Sequence, residues 1–261
     1  MPGVDKDLFE SKVWAKFESQ AAPVIAKVVR QGDFSEEDLD MLLNFVAMVA
    51  VRAPRLQNAG LALVEQRSGL PFAPAVRQPE SWDVILRWSA QAEMGWGPDE
   101  LRRLLDSPGC EAAHPQVWRF FNTVMTLDTL LKVLAERKWV LYSAADEGLE
   151  FICSDNPMGI VHAPPVTPYR PRLPTEKGTV VSFPLHRRVA LVGRFDGDDA
   201  VADADRRIIA LVNFSTLIDA WRFLYAPHDD FVCLREGDYL GNAAYVFEHL
   251  CPQRTESQGR T

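Results

Sequence analysis

A chain of 261 residues with 28 basic and 36 acidic side chains carries a formal charge of −8 at pH 7, which argues against broad nucleic-acid binding, since that needs a basic footprint. Its 47% hydrophobic and 25% charged composition belongs to a globular protein, and a folded chain of this mass buries roughly 70–75% of the surface its unfolded form exposes, enough for a core without staples. Charges interrupt the N-terminal region and no run of about 18 uncharged apolar residues occurs, so neither an export signal nor a membrane span is expected and the location is read as cytoplasmic.

Over residues 5–29 the apolar positions Leu8, Val13, Trp14, Phe17, Ala21, Ile25 and Val28 form one helical stripe, which predicts an amphipathic helix bent at Pro23 and ended by Gly32. Ser35 followed by Glu36, Glu37 and Asp38 is a helix-start signal, a hydroxyl facing free amides with acids in the first turn. That second helix buries Leu39, Leu42, Leu43, Phe45, Val46 and Val49 and is interrupted at Pro54. A third runs from Leu56 to Ser68 and stops at Gly69. Pro71, Pro74 and Pro79 then read as a stiff connection, Trp82 to Trp88 as a short helix, and Pro98 as the start of another. Pro115 opens a long helix to about Arg137, apolar on most sides and therefore central.

The pattern changes at Lys138. Residues 139–142 and 149–153 read as two strands joined by a turn through Asp146, Glu147 and Gly148. Residues 179–183 and 189–195 form a second strand pair. Asp203 is expected to open a helix running through Trp221 and Leu224, with a last strand at residues 231–234. This order predicts an α+β fold: a mostly helical N-terminal half packed with a small, mostly antiparallel sheet and further helices. The expected organisation is a single domain over residues 1–251, helical over about 5–137 and sheet-containing over about 138–251, followed by a polar, disordered tail at 252–261. The segment 163–178 holds five prolines with Tyr169, Arg170 and Arg172, and its length suggests a binding loop or lid as well as a surface loop.

Cys110, Cys153, Cys233 and Cys251 lie far apart without C-x-x-C spacing, so they are read as reduced thiols. The five histidines, His114, His162, His186, His228 and His249, show no metal-ligand spacing, and no metal site is predicted. Phosphate-loop, dinucleotide and G-x-S-x-G motifs are absent, so no cofactor is named. The most distinctive segment is Ser154-Asp155-Asn156-Pro157, placed directly after an apolar run. Asp155 could act as base or metal ligand and Asn156 could orient a substrate; the same residues also build turns on their own backbone. Arg52 and Arg55, flanking Pro54, could bind a carboxylate or an anion, or complement a helix dipole.

The Glu18-Ser19 helix, Phe45-Val46-Ala47 with Arg52-x-Pro54-Arg55, the Trp139 strand, Phe151-Ile152-Cys153-Ser154-Asp155-Asn156-Pro157, Phe183-Pro184-Leu185, and Asn213 with Tyr225-Ala226 occur in an order that resembles the bacterial domain-of-unknown-function family 4238. The resemblance covers about residues 10–235. Members usually begin with a further segment carrying a His-x-Val-Pro element, which this sequence does not show. The resemblance implies a common cleft around Ser154, Asp155 and Asn156 with Arg52, Asn213 and Tyr225, without implying a reaction. Asn213 and Tyr225 would face different ways on a continuous helix, 12 residues at 100° each.

Three readings stay open. One is a binding module that holds a small anionic ligand or a protein partner at the 154–157 turn, as in accessory proteins of bacterial defence or stress operons. Another is a hydrolase acting on a phosphate ester, with Asp155 as base or ligand, Asn156 orienting and Arg52 binding the anion. The third makes the turn structural and leaves the surface to mediate assembly. An ionisable partner beside Asp155 would favour catalysis; a carboxylate whose oxygens are all taken by backbone amides would count against both ligand binding and catalysis at that group.

Overall fold

The computed structural model describes residues 14–91, 97–107, 115–162, 173–235, 239–242 and 244. The expected start of the first helix, most of the proline-rich segment, Cys110, Cys251, His114, His249 and the tail from 252 lie outside them. Helices α1 (Ala15–Gln31), α2 (Glu36–Arg52) and α3 (Pro54–Ser68) agree closely with the sequence signals. The C-caps of α1 and α3 are Gly32 and Gly69, at φ 67° and 70°, a left-handed conformation that other residues adopt only at a cost. Pro54 interrupts α2 and starts α3 as well, because the first helical position needs no amide donor.

The start of α2 is a full capping box. Ser35 Oγ accepts from the Asp38 amide at 3.2 Å and Asp38 Oδ2 accepts from the Ser35 amide at 2.9 Å. Lys27 of α1 donates to the same carboxylate at 2.6 Å. That bond, then the Ser35 amide, holds the Asp38 carboxyl below its ordinary value. Asp38→Ala is expected to cost about 1 kcal/mol at neutral pH, at the low end for a buried pair because the Lys27 end is solvated. A lowered carboxyl contributes its stability above its unfolded value and loses it as pH falls through the folded one. The gap in melting temperature between parent and variant should therefore close on acidification below about pH 4. A gap unchanged down to pH 2 would contradict this account.

Residues 71–79, expected as a stiff connection, instead contain the helix α4 (Phe72–Val76). Pro74 falls in its first turn, where an amide has no acceptor in any case, and buried Phe72 and Val76 anchor it. Helices α5 (Pro79–Gln91), α6 (Pro98–Asp106) and α7 (Pro115–Ala135) complete the helical layer. On α7, Phe121, Val124, Leu127, Leu130 and Leu134 are fully buried, and α2, α3 and α5 pack around it, as its nearly all-round apolar surface requires.

The strands are β1 (Lys138–Ala144), β2 (Cys153–Ser154), β3 (Gly159–His162), β4 (Thr179–His186), β5 (Val189–Arg194), β6 (Ala200–Ala204), β7 (Leu224–Tyr225), β8 (Val232–Arg235) and β9 (Tyr239–Asn242), with helix α8 (Arg206–Asp219) between β6 and β7. Five strands form a sheet in the order β3-β4-β5-β1-β6. Its pairings are antiparallel except β1 with β6. The expected hairpin between residues 139–142 and 149–153 does not form: β1 pairs with β5, and β2 leaves the main sheet to pair with β7. The expected 179–195 pair is the β4–β5 hairpin.

Alternation along the strands sorts two cores. Trp139, Leu141, Ile160, Val181, Phe183 and Leu191 join the cluster of the helical layer. Val140, Tyr142, Val161, Val180, Ala190 and Val192 face the other way and pack with Ile209 and Val212 of α8. The sheet is thus covered on both faces, which explains the near-continuous apolar runs of its inner strands. Fully buried Trp139 sits opposite Gly193, where an added Cβ would lie 2.8 Å from the indole ring. Just before β1, buried Arg137 donates to the carbonyls of Pro174, Thr179 and Gly193 at 2.5–3.1 Å and lies 4.1 Å from the centre of the Phe195 ring. Burial pushes it down to about 10, so it remains a cation at neutral pH.

Helix α8 corrects two expectations. It starts after Asp205, whose Oδ1 accepts the Ile208 amide at 2.8 Å, because residues 200–204, including Asp203, are drawn into β6 beside β1. It ends at Asp219, with Ala220 extended at φ −60° and ψ 139°, so Trp221 and Leu224 lie beyond it. Asn213 and Tyr225 therefore occupy different elements.

Candidate functional site

The end of α8 has no glycine cap, so its last carbonyls need partners from elsewhere. Asn156 supplies one, donating from Nδ2 to the Asp219 carbonyl at 2.8 Å. The Asp219 carboxylate is buried, pairs with Arg55 at the start of α3, and accepts the Ile160 amide at 2.7 Å. One buried acid thus ties α3, β3 and α8 together. Neither Asp219 nor its pairing was legible beforehand. The available signal was an acid at a helix C-terminus, where the dipole disfavours negative charge unless a cation compensates it.

The 154–157 turn is built the same way. Ser154 Oγ accepts the Asn156 amide at 3.1 Å, a local side-chain turn. The Asp155 amide donates to the Phe223 carbonyl at 3.2 Å. Its carboxylate oxygens each accept one amide, from Trp221 at 2.9 Å and from Arg222 at 2.8 Å. With Cys153 paired to Tyr225 and Ser154 to Leu224, the turn clamps the whole 221–225 segment. Ser154 and Asn156 are buried, whereas Asp155 is exposed.

The remaining expected site residues do not gather at this turn. Asn213 is fully buried and bonded to three backbone groups: its Oδ1 accepts the Ile152 amide at 2.9 Å, and its Nδ2 donates to the carbonyls of Glu150 and Val232 at 2.9 and 2.8 Å. Arg52 is not beside Asp155 in its bonding; it pairs with Glu18 at 2.7 Å and lies 5.8 Å from the Trp14 ring centre, joining α2 to α1. The guanidinium next to the turn is that of Arg55. Tyr225 is exposed and lines a concavity of about 320 Å³ with Phe151, Cys153, Pro184, His186 and Arg187.

Within that concavity, His186 Nδ1 accepts the Arg188 amide at 3.2 Å, which leaves Nε2 as a donor, and Arg187 pairs with Glu150 at 3.2 Å. Burial pushes the Cys153 thiol up, and that of Cys233 up to about 11, so both are thiols at neutral pH and poor nucleophiles. Among the described residues no group of three or more His, Cys, Asp or Glu is arranged to hold a metal ion, and no helix is long and apolar enough to cross a membrane.

What sequence reasoning missed is the aromatic content of the clamped segment. Trp221, Phe223 and Tyr225 are 58%, 58% and 57% exposed, against almost complete burial for the other large apolar groups. Their regular spacing by two was the usable signal, but it was absorbed into an expected helix. The family model described as a protein of unknown function, DUF4238, matches residues 2–230. No curated protein and no solved structure matches the chain.

Proposed function

The chain belongs to the DUF4238 family, a family of unknown function, and on that footing we propose that its 221–227 face is a binding surface for an apolar peptide segment of a protein partner. The observation that carries this reading is the clamp. Asp155 fixes two successive amides so that Trp221, Phe223 and Tyr225 stand in solvent beside the Tyr225 concavity. Exposed apolar residues are ordinary when scattered; three aromatics within five positions, held by a carboxylate clamp and flanked by Arg222, have the composition of an interface hot spot. In this reading Ser154, Asp155 and Asn156 position the surface and do not touch the partner. A phosphate-ester hydrolase centred on Asp155 has less support, because each of its oxygens already accepts a backbone amide.

Selection of random peptides displayed against the immobilised protein tests the proposal. Selected peptides are expected to lose about 30-fold or more in affinity on Trp221→Ala, the size of a typical hot-spot truncation, with the melting temperature unchanged. Peptides that bind a Trp221→Ala, Phe223→Ala and Tyr225→Ala triple variant as tightly as the parent would overturn it.

A further inference from the structure

We infer that residues 245–250 of the same chain dock on the Trp221, Phe223 and Tyr225 face, so that a partner must displace them; this rests on the binding reading above. The exit point of the chain carries the inference. Strand β9 pairs with β8 so that Asn242 lies opposite Val232 and Gly241 opposite Cys233. Buried Cys233 contacts the Asn242 carbonyl at 3.7 Å and forms a small cluster with Leu217, against which Leu224 and Phe231 pack. Leu224 is the residue between exposed Phe223 and Tyr225. The chain therefore leaves β9 alongside the aromatic segment.

Two further observations agree. The family match ends at residue 230, and strand β8, just beyond that end, already packs back onto the family core, with Val232 and Leu234 buried in the α8 cluster. After β9 the sequence brings Tyr245, Val246, Phe247 and Leu250, an apolar stretch whose one carboxylate, Glu248, is of opposite sign to Arg222, before the polar residues from 252. Six residues span at most about 20 Å, enough to cross a five-residue aromatic segment from a starting point beside Leu224.

The test uses the full chain labelled with 5-fluorotryptophan, the Trp221 resonance being assigned by its loss in Trp221→Phe. In Tyr245→Asp/Phe247→Asp, the Trp221 signal should shift and its quenching by acrylamide should rise at least twofold, while the buried Trp139 signal stays in place as a check on folding. A Trp221 signal equally quenchable in parent and variant would overturn the inference. As a second measurement, chymotrypsin should cut at Tyr245 and Phe247 several-fold faster in Trp221→Asp/Phe223→Asp than in the parent, at a rate independent of protein concentration. Protection that grows with concentration would place a second copy on the face and also overturn it. Neither readout needs a partner, so a tail contact without peptide binding would sink the binding reading alone, and peptide binding without a tail contact would sink this one alone.

Discussion

Replacing Arg55 by alanine is expected to destabilise the protein by roughly 3–5 kcal/mol, because it leaves the Asp219 carboxylate buried without its cation. For a chain of this length that is a fall in melting temperature on the order of 10 °C. The Asp219 side chain is 1% exposed, so water cannot replace the guanidinium without opening the junction of α3, β3 and α8. Arg55→Met/Asp219→Asn should recover more than half of the loss, since removing both charges also removes the desolvation cost, and the asparagine carbonyl can still accept the Ile160 amide. Thermal and urea unfolding of the two variants checks this. A single variant that melts within about 2 °C of the parent would show the pair to be dispensable. Because Asp219 also offers its carbonyl to Asn156, Arg55→Ala should loosen the nearby aromatic segment too, visible as a shifted Trp221 signal below the melting transition.

Asn213→Leu should be comparably severe, about 4 kcal/mol or more. It strands the Ile152 amide and the Glu150 and Val232 carbonyls in the interior, and each buried group left unbonded costs about 1–3 kcal/mol. The substitution separates two roles for this side chain. As a structural bridge it lowers the melting temperature on the order of 10 °C and leaves the affinity of a selected peptide unchanged wherever the variant is folded. The family resemblance placed Asn213 in a common cleft; in that case Asn213→Ser would weaken binding at nearly unchanged stability. Differential scanning calorimetry together with titration of one peptide distinguishes the two.

The parts of the fold legible in advance depend on neighbours in sequence. The Ser35 and Asp38 box, the glycines at 32 and 69, the proline that opens α7 and the β4–β5 hairpin all depend on groups a few residues apart, so local chemistry decides them. Strand β6, Ala-Val-Ala-Asp-Ala, carries little strand propensity and exists because β1 offers it a free edge. The apolar residues 149–152 read as a strand, yet Phe151 and Ile152 are held by Arg187 and Asn213 and make no ladder with β1.

For the candidate site, the amino-acid sequence by itself determined that a polar turn succeeds an apolar run at residues 154–157, and that its side chains would bond to backbone or to a ligand. Only the tertiary structure decided which. The acceptors and donors that complete Ser-Asp-Asn-Pro come from residues 219–223, more than 60 positions away, and their arrival depends on where α8 stops. Nothing between Asp219 and Tyr225 breaks a helix locally: there is no glycine or proline, and the apolar residues suit a continuation. The helix stops because Asn156 and Arg55 satisfy its last turn and Asp155 takes the next two amides, a set of long-range bonds that outweighs one further turn of local hydrogen bonding. That same competition turns Trp221, Phe223 and Tyr225 outward, and so the surface proposed to bind a partner is a product of the fold and not of any motif.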